Sequence, residues 1–144
     1  MKYDMATLQF MNFFETLTKS KLKDCFEWNN FHVFVVEQGE IGKAIGKKGQ
    51  TVSLLQKKLK KRVKIVEYSP ELKTFINNLV SPLKLKAIED EEGVISLIPE
   101  DTQTRAILIG RNASSLRALE TIIKRYFKII EVKVLKTWEK NQGA

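Results

Sequence analysis

The sequence predicts an α+β protein made of two tandem copies of one small unit. Each copy runs helix, strand, strand, helix, helix, strand, with helices covering a three-stranded sheet. Length and composition give the first reason: 144 residues, 43% hydrophobic and 29% charged, supply core material for one ordinary domain or two very small ones. The second is internal repetition. Sliding the chain by 64 positions lays Ile45-Gly46 on Ile109-Gly110, Leu55 on Leu119, Lys60 on Lys124, Lys64-Ile65 on Lys128-Ile129, and Glu67 on Glu131. Matches in one register across turn, helix and strand mark a duplicated unit. The third is Ser69-Pro70, which sets the expected boundary between a first domain over 1–69 and a second over 70–144.

The elements follow from periodicity. Residues 4–17 place Met5, Leu8, Met11, Phe14 and Leu17 at helical spacing, with Asp4 positioned to cap. Residues 25–28 and 31–36 are rich in aromatic and β-branched side chains and are joined by Asn29-Asn30, a pair that tolerates the positive φ of a tight hairpin. A glycine cluster follows (Gly39, Gly42, Gly46, Gly49) around a short apolar turn at 41–45. Thr51 is placed to cap a helix with Val52, Leu55 and Leu59 inward, and 62–68 reads as a strand. In the second copy Pro70 suits the first turn of a helix over 71–80, which Ser81-Pro82 ends. Residues 83–88 and 94–98 read as strands about a turn at Asp90-Glu91-Glu92-Gly93. Residues 103–109 lead to Gly110 without an assigned form. Ser114 or Ser115 is expected to cap a helix with Leu116, Leu119, Ile122, Ile123 and Tyr126 inward. Residues 129–135 form the last strand, and 136–144 are expected to be a frayed tail that carries Trp138.

Charge narrows the function. The chain carries 25 Lys and Arg against 17 Asp and Glu, a net +8 that suits a polyanionic partner. Residues 1–69 hold 13 basic and 7 acidic side chains, whereas 70–144 hold 12 and 10. Between 41 and 66 there are nine basic residues (Lys43, Lys47, Lys48, Lys57, Lys58, Lys60, Lys61, Arg62, Lys64) and no acid, unlike the mixed signs of an ordinary solvated face. A single Cys, Cys25, cannot close an internal disulfide, and with the single His, His32, it cannot complete a four-ligand zinc site. The longest charge-free stretches run ten residues, about half a membrane span. No apolar leader precedes a small-residue cleavage site, so a cytoplasmic protein is expected.

The segment that carries chemistry is Ile45-Gly46-Lys47-Lys48-Gly49, set between a short helical turn and a longer helix. Two glycines three positions apart let the backbone turn tightly and admit a ligand backbone where a Cβ would obstruct it. The following helix aims free amides at the same spot, and two lysines add mobile cations, which together suit phosphate. Rival phosphate motifs fail on spacing. Gly42 and Gly46 enclose three residues rather than the four of a nucleotide-binding P-loop, Lys47 is followed by Lys48 rather than Ser or Thr, and Gly-x-Gly is absent from the chain.

That loop, with an apolar strand upstream and a helix on either side, resembles the Gly-x-x-Gly loop of KH domains, and the element order resembles their type II form. Over about residues 4–136 the chain also resembles the short archaeal-type NusA family of two type II KH domains. The likeness rests on 33–37 with Gly39, Ala44-Ile45-Gly46-Lys47-Lys48-Gly49 and 63–68, and in the second half on Ile109-Gly110-Arg111-Asn112 and Lys124-Arg125-Tyr126-Phe127. It departs at Ala113, which stands where the final glycine belongs and adds a Cβ at the point of backbone approach. The resemblance implies a cytoplasmic, monomeric RNA-binding protein of transcription termination or antitermination. It implies single-stranded RNA and RNA polymerase or the elongation complex as partners, no membrane and no cofactor. The implied contacts are Ile45, Gly46, Lys47, Lys48 and Gly49, with Gly110, Arg111 and Asn112 in the second loop. The alternative is a ribosome-associated or ribosome-assembly KH module on ribosomal RNA, although such proteins more often carry long basic arms that this chain lacks.

Other conspicuous residues read as structural. His32 and Cys25 lie in apolar strands and read as packed side chains. Phe10, Phe13, Phe14 and Tyr126 could stack bases, but their helical spacing points to a core. Asp90-Glu91-Glu92 reads as a solvated turn. Without a paired-acid motif or a nucleophile beside a base, no enzymatic activity is expected.

Overall fold

The computed structural model describes residues 3–136; the tail from 137 on, with Trp138, lies outside the described residues. The chain divides into two compact units that meet in sequence between Glu71 and Leu72. Each contains one three-stranded sheet with its helices, an α+β architecture.

The first unit comprises α1 (Met5–Thr18), β1 (Leu22–Trp28), β2 (Phe31–Val36), α2 (Ile41–Ile45), α3 (Gln50–Leu59) and β3 (Val63–Glu67). Asp4 caps α1 as expected, its Oδ1 accepting from the Thr7 amide at 2.7 Å. β1 and β2 pair antiparallel through Asn29 and Asn30, whose φ angles are 54° and 67°. β1 begins three residues earlier than the apolar pattern indicates. Lys23 and Asp24 interrupt that pattern, the register shifts between Leu22 and Asp24, and the buried Asp24 carboxylate accepts from Tyr3 Oη at 2.7 Å. β3 adds parallel to β2, His32 opposite Val63. A parallel neighbour requires a crossover, which here consists of α2, a glycine turn and α3.

The core joins Phe14, Cys25, Phe34, Val36, Ala44, Leu55 and Val63, with Phe14 stacked on Phe34 at 4.5 Å. Of the row expected on α1, Phe14 is buried and Met11 packs against the core, while Phe10 and Thr18, four residues to either side of Phe14, complete the inward face. Met5 is 72% exposed, Leu8 44% and Leu17 37%. The rings win the sheet contact because each buries more apolar surface than a Met or Leu at the same spacing. Cys25 and His32 are buried as packed side chains.

The second unit comprises α4 (Leu72–Val80), β4 (Leu85–Glu91), β5 (Val94–Pro99), α5 (Thr102–Ile109), α6 (Ser114–Lys124) and β6 (Glu131–Val134), in sheet order β4-β5-β6 with β6 parallel to β5. The hairpin turn is tighter than expected. It closes on Glu92 and Gly93, at φ 52° and 90°, while Asp90 and Glu91 belong to the strand. The segment left unassigned forms α5, capped by Asp101, whose Oδ1 accepts from the Thr104 amide at 2.8 Å.

The repeat register holds through turn and helix, then slips. Gln56 Oε1 accepts from the Val63 amide at 3.0 Å, and Glu120 Oε2 accepts from the Val132 amide at 2.9 Å. Gln56 and Glu120 are 64 positions apart, but Val63 and Val132 are 69 apart. Residues 126–130 are therefore an insertion before β6, and Lys128-Ile129 is not the counterpart of Lys64-Ile65. The insertion packs Tyr126 edge-on against Phe75 at 5.3 Å and places Phe127 at 5.8 Å from the same ring.

His32 generates a prediction. It is 4% exposed, meets Phe10 edge-on at 4.9 Å and neither ring nitrogen has a hydrogen-bond partner among the described residues. Burial pushes the imidazole below its ordinary value of 6.5, and Lys61 reinforces this while Glu27, 3.7 Å away, and Asp4 oppose it. The unfolded chain therefore takes up a proton below about pH 6.5 that the fold resists, so stability falls as pH drops through that value. Thermal melts near pH 7.5 and near pH 5.5 should show a loss in the parent chain that His32→Phe reduces.

Candidate nucleic-acid interface

The turn of each unit follows the same backbone path. Gly46 closes α2 by donating to the Gly42 carbonyl at 3.2 Å, and Gly110 closes α5 by donating to Ala106 at 2.9 Å. Gly46 lies at φ 71°, ψ −176° and Gly110 at φ 72°, ψ 179°, a region that only glycine occupies readily. A Cβ on Gly46 would stand 2.7 Å from Thr51 Oγ1, and one on Gly110 would stand 2.5 Å from Ser115 Oγ and 2.9 Å from its amide nitrogen. Two left-handed residues follow in each loop: Lys48 (φ 54°) and Gly49 (φ 68°), then Asn112 (φ 54°) and Ala113 (φ 61°). Ala113 thus adopts a left-handed conformation that its Cβ disfavours. The flanking helices hold it there, and the strain is borne within the fold.

The helix starts correct two expectations. α3 begins at Gln50 with Gly49 in the capping position, and α6 begins at Ser114 with Ala113 in that position; no side chain caps either helix. Thr51, Ser114 and Ser115 are therefore first-turn residues rather than caps. A left-handed residue at the cap points the chain so that the hydroxyl lies back against the first glycine of the loop. The sequence holds a signal for this, a hydroxyl five positions after that glycine in both copies, which a reading for caps passes over.

The expected contacts fall together at each turn. Ile45 is 37% exposed beside the first loop, and Lys47, Lys48, Arg111 and Asn112 are all exposed. Lys47 and Lys48 make no ion pair among the described residues. A Cβ on Gly49 would meet nothing within 4 Å, so the far side of the loop is open. The wider basic run is less uniform than its sequence. Lys43 reaches Glu40 at 3.8 Å, and Lys61 holds Glu27 at 2.7 Å. Arg62 stacks on Phe31 at 4.3 Å, and Lys58 lies 5.9 Å from the Phe13 ring. Lys64 lies over Trp28 at 5.6 Å, where burial pushes its amine down to about 8. Lys47, Lys48, Lys57 and Lys60 remain as cations without an ion-pair partner among the described residues. No group of His, Cys, Asp and Glu suited to a metal occurs among those residues, and no helix there is long and apolar enough to cross a membrane.

Fold and loops together define a duplicated α+β protein that presents two helix–glycine turn–helix loops, each with an exposed cation directly after its first glycine. No protein-family model matches the chain. It is 30% identical over 139 residues to the "probable transcription termination protein NusA" of Methanocaldococcus jannaschii, spanning 93% of this chain and 76% of that one. The protein of the same name from Halococcus morrhuae is 26% identical, with 90% and 94% of the two chains covered, and that from Thermoplasma acidophilum is 23% identical, with 91% and 93% covered. The crystal structure of APE1850 matches the fold with a TM-score of 0.65 at 24% identity, covering 92% of this chain and all of the other. The chain belongs to the archaeal NusA family.

The strain at Ala113 decides the effect of restoring a glycine there. Ala113→Gly should stabilise the second unit by about 1 kcal/mol, because relief at φ 61° outweighs the added unfolded-state entropy. Gly110→Ala should destabilise it by about 2 kcal/mol or more, since Ser115 must also move. Urea unfolding of the full chain measures both.

Proposed function

We propose that the chain is a single-stranded RNA-binding protein of transcription termination or antitermination. In this reading it consists of two type II KH domains, over 1–69 and 70–144, whose turns at 46–49 and 110–113 clamp the RNA backbone. The observation that carries this is the recurrence of one strained four-residue path in both units, each beside exposed cations. A fold that repeats a costly conformation in two places, with different side chains, is using the conformation itself. Support for the setting comes from the relatives named as transcription termination proteins.

The mechanism is clamping, without bond chemistry. Gly46 and Gly49 admit the sugar–phosphate backbone, Lys47 and Lys48 hold phosphates, and bases lie along the apolar edge beside Ile45 and α3. In the second domain Gly110 opens the turn, Arg111 offers a guanidinium fork, and Asn112 donates beside it. The protein acts as a cytoplasmic monomer on RNA that emerges from RNA polymerase, needs no cofactor and is not an enzyme. Co-sedimentation with ribosomal subunits, rather than with polymerase, would replace this reading with ribosome assembly.

Two measurements test the clamp. Lys47→Asp with Lys48→Asp should abolish binding of single-stranded RNA at about 0.1 M salt while leaving the melting temperature intact. Lys47→Ala with Lys48→Ala should flatten the slope of log affinity against log salt by up to about 1.4, at about 0.7 per phosphate contact, and more than Arg111→Ala does. Single-stranded RNA should also outcompete duplex of equal length; a duplex preference would assign binding to the Lys57 and Lys60 side of α3 instead.

A further inference from the structure

We infer that the Thr51 hydroxyl is a further RNA contact of the first loop, an uncharged donor that reaches the ligand beside the bare Cα of Gly46. The inference rests on the clamp reading above. Three observations lead to it.

The first is position. Thr51 Oγ1 lies where a Cβ on Gly46 would come within 2.7 Å, so the hydroxyl occupies the side that glycine leaves open. It sits in the first turn of α3, whose leading amides no side chain caps. A hydroxyl there converges with those amides on one point at the mouth of the loop.

The second is its unused hydrogen-bonding capacity. Two other helical threonines donate to the carbonyl four residues back: Thr18 to Phe14 at 2.9 Å and Thr121 to Arg117 at 3.0 Å. The Thr51 hydroxyl makes no hydrogen bond among the described residues although the residue is half-buried. A half-enclosed hydroxyl with no protein partner is available to a ligand.

The third is recurrence. The six residues from Gly46 read Gly-Lys-Lys-Gly-Gln-Thr, and the six from Gly110 read Gly-Arg-Asn-Ala-Ser-Ser. The leading glycine, the cation after it and the hydroxyl five positions on are common to both. Ser115 Oγ stands 2.5 Å from where a Cβ on Gly110 would be, the same placement. The second cation, the final glycine and the residue after it differ.

The contact has a signature that separates it from the lysines. A neutral hydroxyl displaces no counterion, so its loss weakens binding by one factor at every salt concentration. Thr51→Val keeps the side-chain shape and removes the donor. It should reduce the affinity of the full chain for a single-stranded RNA oligonucleotide by about three- to tenfold, with the salt slope unchanged. Thr51→Ser should recover most of that loss. Thermal melts of both variants confirm that the unit is folded, and the measurement is run beside Lys47→Ala with Lys48→Ala.

If the lysine pair weakens binding and Thr51→Val does not, the clamp stands and this contact is wrong. If Thr51→Val weakens binding but flattens the slope, the hydroxyl acts by holding the loop and the direct contact is overturned. If neither variant changes affinity, the clamp reading fails and the contact falls with it. A Thr51→Val protein that melts early is replaced by Thr51→Ala, judged by the same slope.

Discussion

At Gly46 and Gly110 the chain turns through φ near +71° with ψ near 180°, and nearly everything else in each unit is arranged around that passage. The peptide there leaves a short helix and must re-enter a longer one within four residues, and no ordinary side chain accepts the geometry. The helix on the far side of the turn is what carries the chain back to lay a strand parallel to β2 or β5. Without the sharp turn, α3 and α6 could not cover their sheets, and Leu55 and Leu119 would lose their buried places. A backbone constraint at one residue thus links the turn to the hydrophobic core, and each buried leucine adds about 2 kcal/mol of transfer free energy to the arrangement.

The same demand explains how the two units tolerate different residues. Unit one places its strain on Lys48 and relaxes at Gly49; unit two relaxes at Asn112, which suits the left-handed region, and places its strain on Ala113. Each loop therefore contains one residue that fits and one that does not. The closure of the sheet shows a similar exchange. Gln56 and Glu120 both accept from an amide at the start of the returning strand, Val63 and Val132, one with an amide oxygen and the other with a carboxylate. Five extra residues before β6 leave that bond in place, because Tyr126 and Phe127 take up the added length against Phe75.

Much of this was legible in the sequence. The duplicated order, the hairpin at Asn29-Asn30, the Asp4 cap and the glycine turn follow from residue type and spacing alone. The inward row of α1 was legible only at Met11 and Phe14, because Met5, Leu8, Phe10 and Phe14 are all apolar and only the sheet decides which of them it receives. α5 was hidden because Gln103, Thr104 and Arg105 dilute its apolar period, while its cap, Asp101, stood in plain view. The basic run looked free of acids because Glu27 enters it from β1 and Glu40 stands one position before it, at the cap of α2. The slip in register before β6 was masked by chance identities at Lys128-Ile129 and Glu131, where a hydrogen bond rather than a letter match defines equivalence.

The parallel closure of each sheet also sets an order of assembly. β3 pairs with β2 across 31 positions, His32 to Val63, and β6 pairs with β5 across 37, Ile95 to Val132. The hairpins β1–β2 and β4–β5 are local and can form early, whereas each sheet is complete only when its last strand arrives. On a growing chain the first unit has all of its strands once Glu67 has emerged, before any strand of the second exists. The second hairpin exposes one edge of β5 until the final residues of its unit are made. That unpaired edge belongs to the nascent chain alone, and it is where a mispairing during synthesis would begin.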